Sequence, residues 1–247
     1  MEWQDDGIVL SAARYGESDA LLEVMTASHG RVRGFVKGGS GRRQRANLQV
    51  GNRLRLNWYS RIEANLGRFS AELVYSPLGL MMGEGARLSA LSAVASVIAS
   101  TLPEREDHAE IYERLLAVLD LLEEEEGTSV LWAGALARLE LAILSALGYG
   151  LDLTSCAATG TTENLAYVSP KSARAVSREA AGPYKERLLP LPGFLLEAPL
   201  AGVTPDDVLG GLRLTGFFLD RQVWVVHGKG QPPARDRFIA SLMRATQ

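Results

Sequence analysis

The sequence predicts an α+β protein, with a small five-stranded β-barrel over residues 1–78 and a mainly α-helical domain over residues 79–247. Three observations carry this. Residues 3–75 hold five short runs rich in β-branched and aromatic residues, punctuated by Gly, Asn, Ser and Asp. Beyond residue 77 the apolar residues recur at three- and four-residue intervals instead. Charge divides in the same place: residues 1–80 carry eleven Lys/Arg against eight Asp/Glu, and the remaining residues carry fifteen against twenty-one. A basic part inside an acidic chain points to an anionic partner for that part.

The five runs are "GIVLSAA", "DALLEVMTA", "RVRGFVKG", "NRLRLNWYS" and "RFSAELVY". "SHGR" at 28–31 reads as a hairpin turn in which Gly30 takes a positive φ. Five short strands in this length fit an oligonucleotide-binding (OB) barrel, and an SH3-like barrel would leave the same trace. Helices follow. "GARLSALSAVASVIASTL" spaces Leu88, Leu91, Ala95, Ile98 and Leu102 helically, and "AEIYERLLAVLDLLEEEE" does so with Ile111, Leu115, Val118, Leu119 and Leu122. "SVLWAGALARLELAILSALG" is apolar on nearly every face and is expected in the middle of a bundle, closed by Gly148 and Gly150. Residues 150–170 read as irregular, and two further helices are expected near 204–220 and 235–245.

A chain of 247 residues, 47% apolar, is long enough to bury a sizeable core. Its one cysteine, Cys156, excludes an intrachain disulfide and suits a reducing compartment. The start "MEWQDDGIVL" lacks signal-peptide character. The most apolar run, 128–147, carries Arg138 and Glu140 and reads as a buried helix rather than a membrane span. A soluble cytoplasmic protein, associated with the nucleoid if its anion is DNA, is the expectation.

The basic charge concentrates further. Between Glu23 and Glu63 there is no Asp or Glu, yet the stretch holds nine cations, Arg31, Arg33, Lys37, Arg42, Arg43, Arg45, Arg53, Arg55 and Arg61. Strand periodicity puts Arg31, Arg33 and Lys37 on one face with Phe35. It likewise groups Arg53, Arg55, Asn57 and Tyr59, with Leu54, Leu56 and Trp58 turned to a core. The intervening "GGSGRRQR" reads as a flexible loop adding three arginines. Rows of cations interleaved with rings suit single-stranded nucleic acid, where cations track phosphates and rings stack on bases. A solvated face normally mixes both signs of charge, which this stretch does not. Lys171, Arg174 and Arg178 form a second, smaller cationic set at helical spacing, read either as solvated surface or as a continuation of a DNA path.

Other chemistry is missing. The glycines of "VKGGSGRR" match neither phosphate-loop pattern. His29, His108 and His227 lie far apart and read as turn or surface residues, and Cys156 reads as a buried thiol without a base to activate it. The run "EEEE" at 123–126 reads as a solvated helix end. No catalytic residue and no cofactor is assigned. An RNA-binding barrel, or a metal-free enzyme acting on nucleic acid, remains compatible with these residues.

Several stretches together resemble the bacterial recombination mediator family RecO. "GIVLSAARYGESDALLEVMTASHGRVRGFVKGG" is similar to that family's N-terminal barrel, with Arg14, Tyr15, Gly16, Glu17 and Asp19 matching an R-x-G-E-x-D-type signature. "LQVGNRLRL" resembles a later barrel strand, and "LRLTGFFLDRQVWVVHGKGQPPARDRF" the C-terminal helix. The resemblance implies binding of single-stranded DNA and possibly duplex DNA, annealing of complementary strands, and loading of RecA with RecR on DNA coated by single-strand-binding protein (SSB). No membrane partner is implied. The candidate DNA contacts are then Arg14, Arg31, Arg33, Phe35, Lys37, Arg42, Arg43, Arg45, Arg53, Arg55 and Tyr59, with Lys171, Arg174 and Arg178 beside them. The apolar stretch "LRLTGFFLDRQVWVV" is expected in the core, and any open groove there would suit a short acidic-hydrophobic tail. Many members hold zinc with two C-x-x-C pairs over the segment matching 150–182. Here the four positions are Cys156, Thr159, Ser177 and Ala180, so a degenerate, metal-free zinc-finger-like segment is expected.

Overall fold

A computed structural model describes residues 1–62, 66–81, 83–196 and 199–245. The chain forms two compact units, Met1–Glu126 and Gly127–Gln247.

In the first unit β1 (Glu2–Tyr15), β2 (Asp19–Thr26), β3 (Gly30–Val36), β4 (Arg53–Tyr59) and β5 (Arg68–Tyr75) close a barrel in the order β1-β2-β3-β5-β4. β1 pairs with both β2 and β4, and a short parallel contact of β3 with β5, Phe35↔Arg68 and Val36↔Phe69, completes the ring. This order is the OB arrangement, which resolves the ambiguity with an SH3-like barrel. The two-residue alternation in β3 and β4 is real. Val32, Val36, Leu54, Leu56 and Trp58 join Val9, Leu22 and Val24 in the barrel core, while Arg33, Arg55, Asn57 and Tyr59 are exposed. Gly30 sits at φ +64°, and a Cβ there would lie 1.7 Å from the Glu106 carbonyl oxygen, so both backbone angle and close approach require glycine. Trp58 is 3% exposed and donates its indole N–H to the Leu66 carbonyl at 3.4 Å. Trp58→Ala is expected to destabilise this unit by about 3–5 kcal/mol, checked by urea unfolding, because the buried ring packs in the barrel core and stacks on Trp3 at 5.5 Å.

The helical pattern beginning at residue 77 gives α2 (Leu78–Met81), α3 (Gly85–Thr101) and α4 (Ala109–Glu123). The expected boundary at residue 78 marks this switch from strand to helix. The compact division falls later, at Glu126, because α3 packs on β1 and α4 on β2. Arg87, 4% exposed, ties the two helices together. Its guanidinium donates to the Glu84 carboxylate at 2.6 Å and to the Leu122 and Glu125 carbonyls at 2.9 and 3.1 Å.

The second unit is built around α5 (Ser129–Ala146), packed by α7 (Pro205–Leu219) and α8 (Pro233–Ala245). By length and composition alone α5 could cross a membrane. Its Glu140, 0% exposed, receives the Arg235 Nε at 2.5 Å and Nη2 at 2.9 Å and the Thr215 hydroxyl at 2.5 Å, which marks it as a protein-packed helix. The helix closes as its glycines suggest: Gly148 takes φ +81° and the Tyr149 N–H returns to the Leu144 carbonyl at 2.8 Å. α7 begins with a reciprocal cap between Thr204 and Asp207. Residues 150–170, expected to be irregular, contain β6 (Leu165–Val168) of a sheet β7-β6-β8 completed by β7 (Ala175–Ser177) and β8 (Leu189–Pro190). Strands of four, three and two residues are too short to display an alternation. A short helix, α6 (Arg178–Ala181), follows β7.

Candidate nucleic-acid interface

The acid-free stretch does not form one continuous basic face. The barrel sorts its cations to two ends. At one end the starts of β3 and β4 meet acids, some from the neighbouring strands and some brought from far along the chain. Arg31, its side chain 13% exposed, pairs with Glu23 and donates Nε to the Leu102 carbonyl at 2.7 Å. Arg33 pairs with Glu104. Arg53 reaches Asp120 at 2.5 Å and lies over the Tyr75 ring at 5.3 Å, and the Tyr75 hydroxyl bonds Glu123. The Glu123 carboxylate, accepting that bond, pushes the Tyr75 phenol above its ordinary range. Arg55 meets its cross-strand neighbour Asp6 at 3.2 Å. Arg31 and Arg53, which strand periodicity groups on basic faces, are therefore partly covered and paired with acids. Glu123, read as a solvated helix end, is half-buried beside them.

The opposite end has a different character. Phe35 in β3 and Tyr59 in β4 both stand across from Arg68 in β5. Tyr15 packs on Phe35 with ring centroids 4.5 Å apart and planes tilted by 43°. The result is a row Tyr15–Phe35–Arg68–Tyr59 across the outer surface, with Tyr15 55% and Tyr59 51% exposed. Lys37, Tyr59 and Arg68 line a shallow hollow of about 280 Å³, with Glu2 at its side. Among the described residues Lys37, Arg42, Arg43, Arg45 and Arg68 form no ion pair, unlike the arginines at the other end. Sequence reasoning missed Tyr15 as a stacking ring and Arg68 as a cation. Their place in the row depends on which strands are neighbours, and Arg68 lies beyond the acid-free stretch.

The three arginines read as a flexible tether are carried on a short helix, α1 (Arg42–Asn47). Its sequence, RRQRAN, is mostly good helix formers. The following Leu48 is 2% exposed in the barrel core, and the Gln44 side chain donates to the Ala71 carbonyl at 3.4 Å. Arg42, Arg43 and Arg45 are exposed.

The signature residues hold the loops beside α1. Arg14 closes the β1–β2 turn, donating Nε to the Gly16 carbonyl at 3.3 Å and Nη2 to the Glu17 carbonyl at 2.9 Å. Asp19 accepts the Gly38 N–H at 2.9 Å and the Ser18 hydroxyl at 3.1 Å, and the first of these holds its carboxyl below the usual range. Ser40 donates its hydroxyl to the Asp19 carbonyl at 2.6 Å. Between these loops and α1 lies a groove of about 810 Å³ rimmed by Arg14 and Arg45.

Elsewhere, His29 donates or accepts at Asp5 across 2.8 Å and stacks on Trp3 at 4.1 Å, a carboxylate pairing across 24 residues that sequence proximity does not reveal. In the second unit Lys171, Arg174 and Arg178 do not share a helix face. They fall on a turn, a hairpin and the start of α6, and Arg174 pairs with Asp152 at 2.9 Å. Cys156 sits 1% exposed in a knuckle, with its Sγ accepting the Ser177 N–H at 3.3 Å. Burial alone would raise its pKa, but the N–H groups of Ser177, Ala158 and Thr159 and the Thr159 hydroxyl outweigh it and lower the thiol to about 6. The four positions Cys156, Thr159, Ser177 and Ala180 supply one thiolate, a donor set that does not fit tetrahedral zinc. Backbone hydrogen bonds serve the sulfur instead. Cys156→Val removes the acceptor of a buried N–H and is expected to cost about 1–3 kcal/mol. Because the folded pKa lies below the unfolded value, the thiolate's contribution is full above the ordinary thiol pKa of 9.0 and is lost as pH falls through about 6. Melting temperatures of wild type and Cys156→Ser, compared across that window, check the sign.

Comparison with known proteins agrees with this architecture. Residues 1–77 match the model "Recombination protein O N terminal" and residues 82–227 match "Recombination protein O C terminal". The chain is 44% identical over 245 residues to a protein of Rhodospirillum rubrum named DNA repair protein RecO, covering 99% of this chain and 97% of that one. It is 46% identical to the protein of the same name from Bradyrhizobium sp. strain BTAi1, again covering 99% and 97% of the two chains. The similarity extends over both units, and the chain belongs to the RecO family of DNA repair and recombination proteins.

Proposed function

We propose that this protein binds single-stranded DNA across the barrel end marked by Tyr15, Phe35, Tyr59 and Arg68. The row of exposed and half-buried rings broken by a cation, with Lys37 in the hollow beside it and Arg45 across the groove from Arg14, carries this reading. Rings stack on any unpaired base, and cations that form no ion pair among the described residues can follow phosphates. In a duplex the bases are already stacked on each other, so single strands gain most from such a surface. Bases that rest on surface rings stay unpaired and the strand stays extended, free of its own hairpins, which supports annealing as the activity. The chain acts as a binding mediator and cleaves nothing in this reading. Its workplace is the nucleoid, and its partners are RecR, SSB and, through them, RecA. Lys171 and Arg178 supply at most an auxiliary contact.

The test combines annealing with binding competition. The purified protein is expected to accelerate pairing of complementary labelled strands and to prefer a single strand over the matched duplex, without shortening either strand when magnesium is present. Preference for a matched RNA would favour an RNA-binding barrel, and strand shortening would indicate an enzyme. Failure to accelerate pairing would remove the annealing role.

A further inference from the structure

β1 is 14 residues long, but β4 pairs only with its first half, Glu2–Ile8. At Val9 that edge closes on the chain before β4, with Val9 N–H to the Asn52 carbonyl at 3.0 Å and Gly51 N–H to the Val9 carbonyl at 2.9 Å. The register then shifts between Val9 and Ser11. From Ser11 to Tyr15 one edge continues to pair with β2, and the other makes no backbone hydrogen bond among the described residues. This open edge borders the 810 Å³ groove. A row of unpaired N–H and C=O groups is a template for another strand, and proteins usually cover such an edge or blunt it with charges, proline or a bulge. The one charge on "SAARY", Arg14, is folded back onto the Gly16 and Glu17 carbonyls, and the register shift precedes the open residues.

We propose that this groove receives an extended, acidic peptide segment of a partner protein, added as a strand along Ser11–Tyr15. Three observations select that occupant. The edge offers donors and acceptors in alternation, which another main chain satisfies completely, whereas a nucleic-acid backbone offers phosphates that only accept. Ala12, Ala13, Gly39 and Gly41 line the groove without bulk, so a main chain can approach to the ordinary strand spacing of about 4.8 Å. Arg14 and Arg45 stand at the rim and Glu17 is the one acid in the lining, so acidic side chains are favoured. The walls are already fixed by the Asp19–Gly38 and Ser40–Asp19 bonds, which lowers the ordering cost of binding.

The probe is a fluorescent octapeptide alternating Glu or Asp with Val or Thr, titrated into the full chain and read by anisotropy. Saturable binding is expected, with slowed amide exchange at the alternate residues of Ser11–Tyr15 whose N–H faces away from β2. N-methylation of the alternate residues facing β1 is expected to weaken binding at least about tenfold, and methylation of the other set to leave it unchanged. Replacing the acids by lysine, or Arg45→Glu in the protein, should also weaken it. The proposal is overturned if the two methylated peptides bind alike or if exchange at Ser11–Tyr15 is unaffected. It is equally overturned if those amides are protected instead by an unlabelled oligonucleotide or by raising the protein's own concentration, which would assign the edge to DNA or to a second copy. Failure of the peptide titration, which contains no DNA, leaves DNA binding by the ring row untouched.

Discussion

Glu140→Ala is expected to cost the protein about 3–5 kcal/mol, a large part of the stability of an ordinary domain. Glu140 is 0% and Arg235 2% exposed, and the carboxylate is the acceptor for two guanidinium N–H groups and the Thr215 hydroxyl. Truncation leaves Arg235 charged in a dry interior, with the Leu212 carbonyl at 2.6 Å, the Gln231 side chain and the Trp224 ring as its other described partners. The cost arises from that stranded charge more than from the lost pair. Accordingly, replacing both partners together, Glu140→Leu with Arg235→Met, should recover most of the loss. Urea unfolding followed by tryptophan fluorescence suits the test, because Trp224 is buried with the Arg235 guanidinium 5.9 Å from its ring centroid. A single-variant loss below about 1 kcal/mol, the level of a surface pair, would mean the site rehydrates.

The second large effect concerns DNA. With Lys37, Arg42, Arg43, Arg45 and Arg68 in no ion pair among the described residues and about four in reach of phosphates at once, log affinity for a single strand should fall against log salt with a slope near −3, at about −0.7 per phosphate. Removing Arg42, Arg43 and Arg45 should flatten that slope by about two units and weaken binding to every sequence alike. Tyr15→Ala or Phe35→Ala should lower affinity with the slope almost unchanged, since stacking releases no counterions. Arg31→Gln with Arg53→Gln should instead leave the slope alone and lower the melting temperature, because those guanidinium groups already hold Glu23 and Asp120.

Local features were legible in the sequence where one element determines them. The alternation RLRLNWY shows which residues of β4 face the core, and the glycine of SHGR marks the β2–β3 turn. The RecO resemblance covered what the pattern alone left open between two barrel types. Non-local pairings were not legible. Arg33 and Glu104 are 71 residues apart, and Arg53 and Asp120 are 67 apart, so an acid-free stretch of sequence said nothing of acids that folding delivers. The same limit hid Arg68 between Phe35 and Tyr59, because a parallel contact of two residue pairs decides it. The helix at 42–47 was obscured for the opposite reason. Its flanking glycines suggest a loop, while the helix depends on Leu48 anchoring in the barrel.

The claim that one barrel end is the DNA surface and the other is neutralised is tested most directly by photo-crosslinking the unaltered protein to a single strand carrying 5-iodouracil. Mass spectrometry then locates the adducts. Adducts are expected on Tyr15, Phe35 and Tyr59. Adducts on Tyr75 instead, beside Arg53 at the opposite end, would contradict the account.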